Sequence, residues 1–402
     1  MLGELSRRSF LLQSVGAGLS GVAGSTDKLK IVSVKAAPLP LLPASRFGTT
    51  KFSSDHDPAR WRWFGPFSQL AGSILVQIKT EQGITGYGLG GGGGAAVYII
   101  DHHLRELLVG ANALNVELLW EQMFASTSFY GRRGLAIMAI SGVDLALWDI
   151  AGKQAGVPVY RLLGGAVKDR VPAYYTGAAV EQGLKLGFRA FKLPIPDGVP
   201  QGSEGMRRNV ARVREARKTI GPDSLLMIDC LARWDVTYTL DFAERIADAR
   251  LYFIEEPLLP DDLAGYEQLC SKVRGARIAS GEHEYTHYGF RELIRHKAAH
   301  ILQPDLTWSG GLTVGRRVAV MAAAESIPVI PHRGGSLYGI HLILSSSNCP
   351  MAESFGTGEP GNELMEAMTS RFDKGHYYPP EKPGLGVEIS EAMLRKHAPS
   401  LL

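Results

Sequence analysis

Three acids recur at near-constant spacing in the middle of the chain. Asp229, Glu255 and Glu282 stand 26 and 27 residues apart, and each closes a short apolar run: "LLMIDC", "LYFIEEP" and "RIASGE". A core strand tolerates a carboxylate only when it is paired or bound to a metal. Three hard oxygen donors brought to one rim suit Mg²⁺, which takes carboxylates and keeps positions open for water or substrate. No cysteine accompanies them and a single histidine stands near, which argues against zinc.

The following runs continue the pattern. "HILQPD" ends in Asp305 and "IPVIPH" in His332. A carboxylate beside an imidazole fixes its tautomer and raises its basicity, which is how a general base is built. Lys192 in "RAFKLP" and Glu353 in "MAESF" add two more ionisable ends.

Such residues need a scaffold that carries them to one place. Eight β-rich runs, at 170–176, 189–194, 225–230, 251–257, 277–282, 300–305, 327–332 and 351–355, are separated by amphipathic helical segments. Strand–helix–strand units of that length make parallel strands. Eight of them imply a (β/α)8-like barrel, whose strand ends converge on one face. Upstream, "LKIVSVKAAPL" and "GSILVQIKTEQGITGYG" read as strands, the second turning at Glu81–Gly83. Apolar positions every three or four residues predict a helix over 137–156, stopped by Gly156 and Pro158. "GLGGGG" (88–93) fits a dinucleotide fingerprint in form, but an antiparallel-looking hairpin precedes it; a flexible loop is the expectation.

Composition agrees with a large soluble core. The 402 residues are 45% hydrophobic, and a net charge of +3 from balanced acids and bases points to neither nucleic acid nor an anionic membrane surface. Cys230, Cys270 and Cys349 form no disulfide framework or zinc spacing. Arg7–Arg8 in "SRRSFLL", before a small-residue apolar stretch, resemble a twin-arginine export signal, against the plainer reading of a basic tail. Residues 1–27 are therefore set aside, an exported, periplasmic protein is expected over a cytoplasmic one, and no permanent membrane span is expected.

The chain resembles the enolase superfamily, in its mandelate racemase-like subgroup, from about residue 30 to the end. The resemblance is dense in "VDLALWDIAGKQAGVPVYRLLGGAV", "FIEEP", "SGEHE", "LQPDLTWSGGLT" and "VIPHRGGSLYG". Within the subgroup the L-rhamnonate dehydratase family is most similar. The fold this implies is α/β: a (β/α)7β modified TIM barrel (156–356) with an α+β capping domain built from the N-terminal segment (28–155) and the C-terminal tail (357–402). The implied metal ligands for Mg²⁺ are Asp229, Glu255 and Glu282, and the implied base is His332 with Asp305. Glu353 and Lys192 match the groups that touch the substrate carboxylate. His283 matches a histidine with a secondary acid or binding role, Trp308 matches a pocket tryptophan, and Glu256 is expected behind the ligands rather than among them.

One departure is specific. Many relatives carry a second lysine, a base on the opposite face of the substrate, where this chain has Pro194. Proline moves no proton, so racemisation is disfavoured and dehydration of a sugar acid favoured, as in the rhamnonate dehydratases that share the proline. The expected substrate is L-rhamnonate or a related aldonate. The alternatives are a racemase or epimerase and a non-catalytic sugar-acid binding protein. The loop over 47–70 is expected to select the substrate's far end through His56, Arg60 and Arg62, with Trp61 and Trp63 over the chain of the sugar, although it matches the family poorly. A homo-oligomer is expected by the same resemblance.

Overall fold

A computed structural model describes residues 28–39, 72–356 and 363–402. His56 and Arg62, with the rest of the loop at 47–70, and the residues of the export segment lie outside the described residues.

The N-terminal part opens with β1 (Ile31–Leu39), β2 (Ser73–Thr80) and β3 (Thr85–Gly90), an antiparallel sheet in the order β1–β2–β3. Gly83, at φ 85°, makes the turn that joins β2 to β3. Helices α1 (Gly93–Ile99), α2 (Arg105–Leu108), α3 (Val116–Thr127), α4 (Leu135–Ala155) and α5 (Val159–Leu162) follow. Helix α4 is long and apolar enough to cross a bilayer, but it lies inside the protein, buried nearly all round. It ends as expected: Gly156 adopts φ 68°, and the Val157 amide bonds back to the Gly152 carbonyl.

The glycine-rich stretch is not the flexible loop expected. Gly86, Gly88 and Gly90 alternate along β3 and face residues 146, 142 and 138 of α4. A Cβ at Gly88 would fall 2.0 Å from the Gly142 carbonyl oxygen, and one at Gly86 2.2 Å from that of Ala146. The glycines therefore let a strand and a helix meet backbone to backbone. Repetition of glycine signals this packing as readily as it signals a loop.

The barrel alternates β4 (Val171–Thr176), α6 (Val180–Lys185), β5 (Ala190–Pro194), α7 (Gly202–Ile220), β6 (Leu225–Asp229), α8 (Val236–Arg245) and β7 (Phe253–Glu255). It continues through α9 (Leu263–Lys272), β8 (Arg277–Ser280), α10 (Thr286–Arg295), β9 (Ile301–Leu302), α11 (Gly311–Ala324), α12 (Leu337–Ser345) and β10 (Ala352–Ser354). Pairing is parallel from β4 to β9, and β10 closes the ring on β4. The run at 327–332 contributes a single bridge, Leu302 to Val329, rather than a full strand. Eight strand segments with seven intervening helices make a (β/α)7β barrel.

After β10 come α13 (Glu363–Ala367), β11 (Phe372–Asp373), β12 (His376–Tyr377) and α14 (Glu391–His397). Strand β12 pairs with the start of β4, and the chain then returns to the N-terminal part. There the Leu385 amide donates to Asp149 Oδ1 of α4 at 2.8 Å, and Lys35 Nζ of β1 donates to the Leu402 carbonyl at 3.0 Å.

Candidate active site

The site begins with the two-residue period of a strand. Tyr174, Ala190, Met227, Phe253, Ala279, Ile301, Ile330 and Met351, one from each strand segment, pack as a single apolar cluster inside the barrel. Two residues further on, each segment presents its next inward position: Thr176, Lys192, Asp229, Glu255, Gly281, Gln303, His332 and Glu353. A dry floor thus carries a polar ring at the carboxyl ends of the strands, where barrel enzymes keep their chemistry.

The ring is tightly connected. Buried Lys192 lies between two acids, with Nζ 2.5 Å from Glu255 Oε1 and 2.7 Å from Glu353 Oε1. Gln303 donates to Glu255 Oε2 and the Thr176 hydroxyl to Glu353 Oε1. Burial opposes the charge on Lys192, but Glu255 and Glu353 outweigh it and hold the ammonium well above the ordinary lysine value. Burial likewise opposes ionisation of Glu353, yet Lys192 and His332 bring its carboxyl down to about 2.

Asp229 pairs in register with Glu255 across β6 and β7, so the two carboxylates are neighbours. Gly281, at φ 127°, then turns the chain and delivers Glu282 one residue later than a straight strand would. Burial, reinforced by Glu255, pushes Asp229 up to about 8. Burial raises Glu282 well above the carboxylate range despite the opposing pull of His332. For Asp229 burial outweighs the pull of Lys192, and for Glu282 it outweighs that of His332 and His283. A closer trio shares only Glu282 with the expected one: ligand atoms of Glu256, Glu282 and His283 lie within 4.8 Å of one another. Glu256 Oε1 there is buried without a hydrogen-bond partner. Oxygen-rich, under-compensated and buried, this wall of the mouth fits a hard divalent cation.

Two histidines face it, each backed by a carboxylate. His332 Nδ1 lies 2.7 Å from Asp305 Oδ2, while Asp305 Oδ1 accepts from both the amide and the hydroxyl of Thr307 at 2.6 Å. An acceptor on one ring nitrogen places the proton there and leaves Nε2 bare. That Nε2 is 3.8 Å from Glu282 Oε2 and from Glu353 Oε2. His283 Nδ1 lies 2.7 Å from Glu256 Oε2, and burial notwithstanding, Glu256 and Glu282 raise the imidazole to about 10. Trp308 stands between the two, its ring 5.7 Å from that of His283 and 5.4 Å from that of His332.

The segment that carries Asp305 and Trp308 is held by the N-terminal part. The Gly91 amide donates to the Thr307 carbonyl, and Trp120 Nε1 to the Gly310 carbonyl at 2.8 Å. Ser141 Oγ accepts from the Gly310 amide, and Asp144 accepts from the amide and hydroxyl of Thr313 at the start of α11.

The structure thus brings Lys192, Asp229, Glu255, Glu282, His283, Asp305, Trp308, His332 and Glu353 to one mouth. Thr176, Gln303 and Arg333 were not anticipated. Arg333 donates its amide to Glu353 Oε2 and sets its guanidinium 5.2 Å from the Trp308 ring centroid. Gln303 was accessible to sequence reading: counting two on from Ile301 gives it, where reading the last charged residue gave Asp305.

Comparison with known proteins agrees with this geometry. Residues 67–164 match the mandelate racemase/muconate lactonizing enzyme N-terminal domain, and 176–393 the enolase C-terminal domain-like model. An L-rhamnonate dehydratase of Saccharopolyspora erythraea is 37% identical over 335 residues, 81% of this chain and 86% of that protein. The crystal structure of a Gibberella zeae rhamnonate dehydratase complexed with Mg superposes with a TM-score of 0.81 at 34% identity, covering 92% of this chain and 96% of that one. A Streptomyces coelicolor racemase with bound magnesium gives 0.77 at 28% identity, covering 91% and 99%. Both halves of the chain, the barrel and its acid-lined mouth therefore agree: this protein belongs to the enolase superfamily, in its mandelate racemase/muconate lactonizing enzyme family.

Proposed function

We propose that this protein is a magnesium-dependent hydro-lyase that dehydrates a sugar acid, L-rhamnonate or a related aldonate, to a 2-keto-3-deoxy acid. The observation that carries the reading is one oriented base on one face. His332 Nδ1 is pinned by Asp305 at 2.7 Å, and β5 carries Pro194 two residues beyond Lys192, at the mouth. The relatives named above as rhamnonate dehydratases support the substrate class.

Asp229, Glu255 and Glu282 would hold Mg²⁺, which when bound would supply positive charge beside the substrate carboxylate and oppose Glu282 and Glu353, which with Asp305 outweigh burial and hold the His332 imidazole above its ordinary value. Lys192 donates to the same carboxylate, and Glu353 orients it through its bonds to Lys192 and the Arg333 amide. His332 Nε2 takes the proton α to the carboxylate, a transfer typically worth about 10²–10⁴-fold in rate. The imidazolium returns that proton to the 3-hydroxyl as it leaves from the same side, releasing water. The enol left behind tautomerises to the 2-keto acid. Trp308 covers the apolar face of the sugar chain, and His283, fixed by Glu256, bonds a substrate hydroxyl.

The test is a panel of aldonates assayed for 2-keto acid formation with the wild type and with H332N. Keto acid from L-rhamnonate, lost in H332N, is the expected result. Solvent deuterium recovered in substrate of inverted configuration would establish racemisation instead, and undiminished turnover by H332N would end the mechanism. The same reading divides the chain into a cap at 28–155, a barrel at 156–356 and a tail at 357–402 that completes the cap. It includes export through Arg7–Arg8, for which loss of periplasmic protein on R7K/R8K substitution is the check, and self-association, which light scattering measures.

A further inference from the structure

The three strands whose carboxyl ends bear Asp229, Glu255 and Glu282 begin, at the other end of the barrel, around a basic hollow. Its volume is about 520 Å³, and Arg217, Arg250, Arg277, Tyr252 and Asp223 line it. Arg217 hangs from α7 and spends its donors on backbone: Nε on the Ala249 carbonyl at 2.9 Å, Nη1 on those of Gly221 and Ser224 at 2.9 and 2.7 Å. Its hydrogen bonds are therefore filled but its charge is not. Burial and the neighbouring Arg250 hold Arg217 below the ordinary guanidinium value, as expected for positive charge without a counter-ion. Arg277 lies over the Tyr252 ring, 4.8 Å from its centroid. Arg250 donates only a long bond, 3.3 Å, to the Pro222 carbonyl. Among the described residues none of the three forms an ion pair.

Arg250 carries a second signal. Its backbone is left-handed, φ 49°, directly after the short helical turn Ala247–Ala249. Glycine is the residue that suits such a terminus, because a Cβ crowds the backbone there. An arginine in that conformation has its side chain projected over the hollow at a conformational cost, and strain of this kind gathers at ligand sites.

Three guanidinium groups against the single carboxylate of Asp223 leave an excess of two positive charges. That matches a dianion, and the planar fork of arginine matches the oxygens of a phosphate. We propose that this hollow, at the amino-terminal ends of β6, β7 and β8, binds a phosphate-class oxyanion, inorganic phosphate or the phosphoryl group of a small metabolite. Five residues of β6 span about 16 Å, so the site is separate from the mouth. It sits on Tyr252, which packs against the apolar floor beneath Lys192.

The experiment is thermal melting of the full chain with Mg²⁺ held constant. Phosphate and glycerol 3-phosphate are titrated against chloride at equal ionic strength. A saturable rise of about 3 °C is expected once the anion is roughly a hundred-fold above its Kd. A tighter response to glycerol 3-phosphate assigns the hollow to phosphorylated metabolites, and an equal response to phosphate itself. R250G keeps the left-handed backbone comfortable, so it is expected to fold at least as stably as the wild type yet lose the anion response. R277Q is expected to lose it too, without touching that backbone. The proposal is overturned if phosphate does no more than chloride in the wild type, or if both variants keep the full response, which would place the anion elsewhere.

Discussion

Replacing Asp305 by asparagine removes one charge and almost no volume, and the structure dictates how the new side chain must sit. Thr307 presents two donors, its amide and its hydroxyl, both at 2.6 Å from Asp305 Oδ1. The asparagine oxygen must stay there, because turning the amide round would leave two buried donors facing an NH2 group, at about 1–3 kcal/mol each. Its NH2 therefore points at His332 Nδ1, now 2.7 Å from Oδ2. A donor at that distance forces Nδ1 to accept, so the ring proton moves to Nε2, the atom that must be bare to take the substrate's proton. The tautomer shift costs far less than two orphaned donors, so the wrong tautomer wins. Loss of a positioned base is worth about 10²–10⁴-fold, or about 3–5 kcal/mol of barrier. The expected outcome for D305N is a kcat lower by that factor, with KM and melting temperature little changed. Steady-state kinetics on the best aldonate, with exchange of the α proton followed by NMR in D2O, reads it directly. A kcat within tenfold of the wild type, with the fold intact, would refute the tautomer argument.

Three further outcomes are expected. Gly88→Ala sets a methyl group 2.0 Å from the Gly142 oxygen, so it should cost at least the about 1–3 kcal/mol of core overpacking; a denaturant midpoint equal to that of the wild type would contradict it. Stripping the metal should abolish turnover. It should also leave a protein that loses stability as pH rises from about 4 to about 8, because folded Asp229, at about 8 against 3.8 unfolded, binds its proton more tightly than the unfolded chain does; pH-dependent melts with and without Mg²⁺ measure this, and a flat metal-free profile would count against the assignment of the ligands. Asp149→Ala takes the acceptor from the amides of Tyr87 and Leu385 and the counter-charge from Lys153, whose ammonium keeps its bond to the Thr85 carbonyl, so it should destabilise by about 3–5 kcal/mol and speed hydrogen exchange at Leu385; unchanged exchange there would show that the tail is held by other contacts.

The barrel was legible because a strand–helix unit has a fixed length and an inward residue a fixed period. The acids at 229, 255 and 282 gave the wall of the mouth, and 305 with 332 gave the imidazole backed by a carboxylate. What sequence hid was geometry that spacing does not encode. Val329 makes only a bridge, because the chain there pairs for too short a length to form a strand. Gly88 and Gly90 read as slack and prove, with Gly86, to be a close contact, since glycine's missing side chain serves both uses. Gln303 was overlooked for being uncharged, and the Glu256–His283 pair needs the left-handed turn at Glu256, φ 37°, which no residue pattern announces.

The segment from Thr307 to Thr313 belongs to the barrel by order in the chain, yet it hangs from α3, α4 and the glycines after β3. A barrel excised on its own would keep its acids but lose the brace that sets Asp305 behind His332. Grafting a foreign cap to change the accepted sugar would carry the same penalty unless residues 307–313 travelled with it. Modularity in this chain stops at that seam.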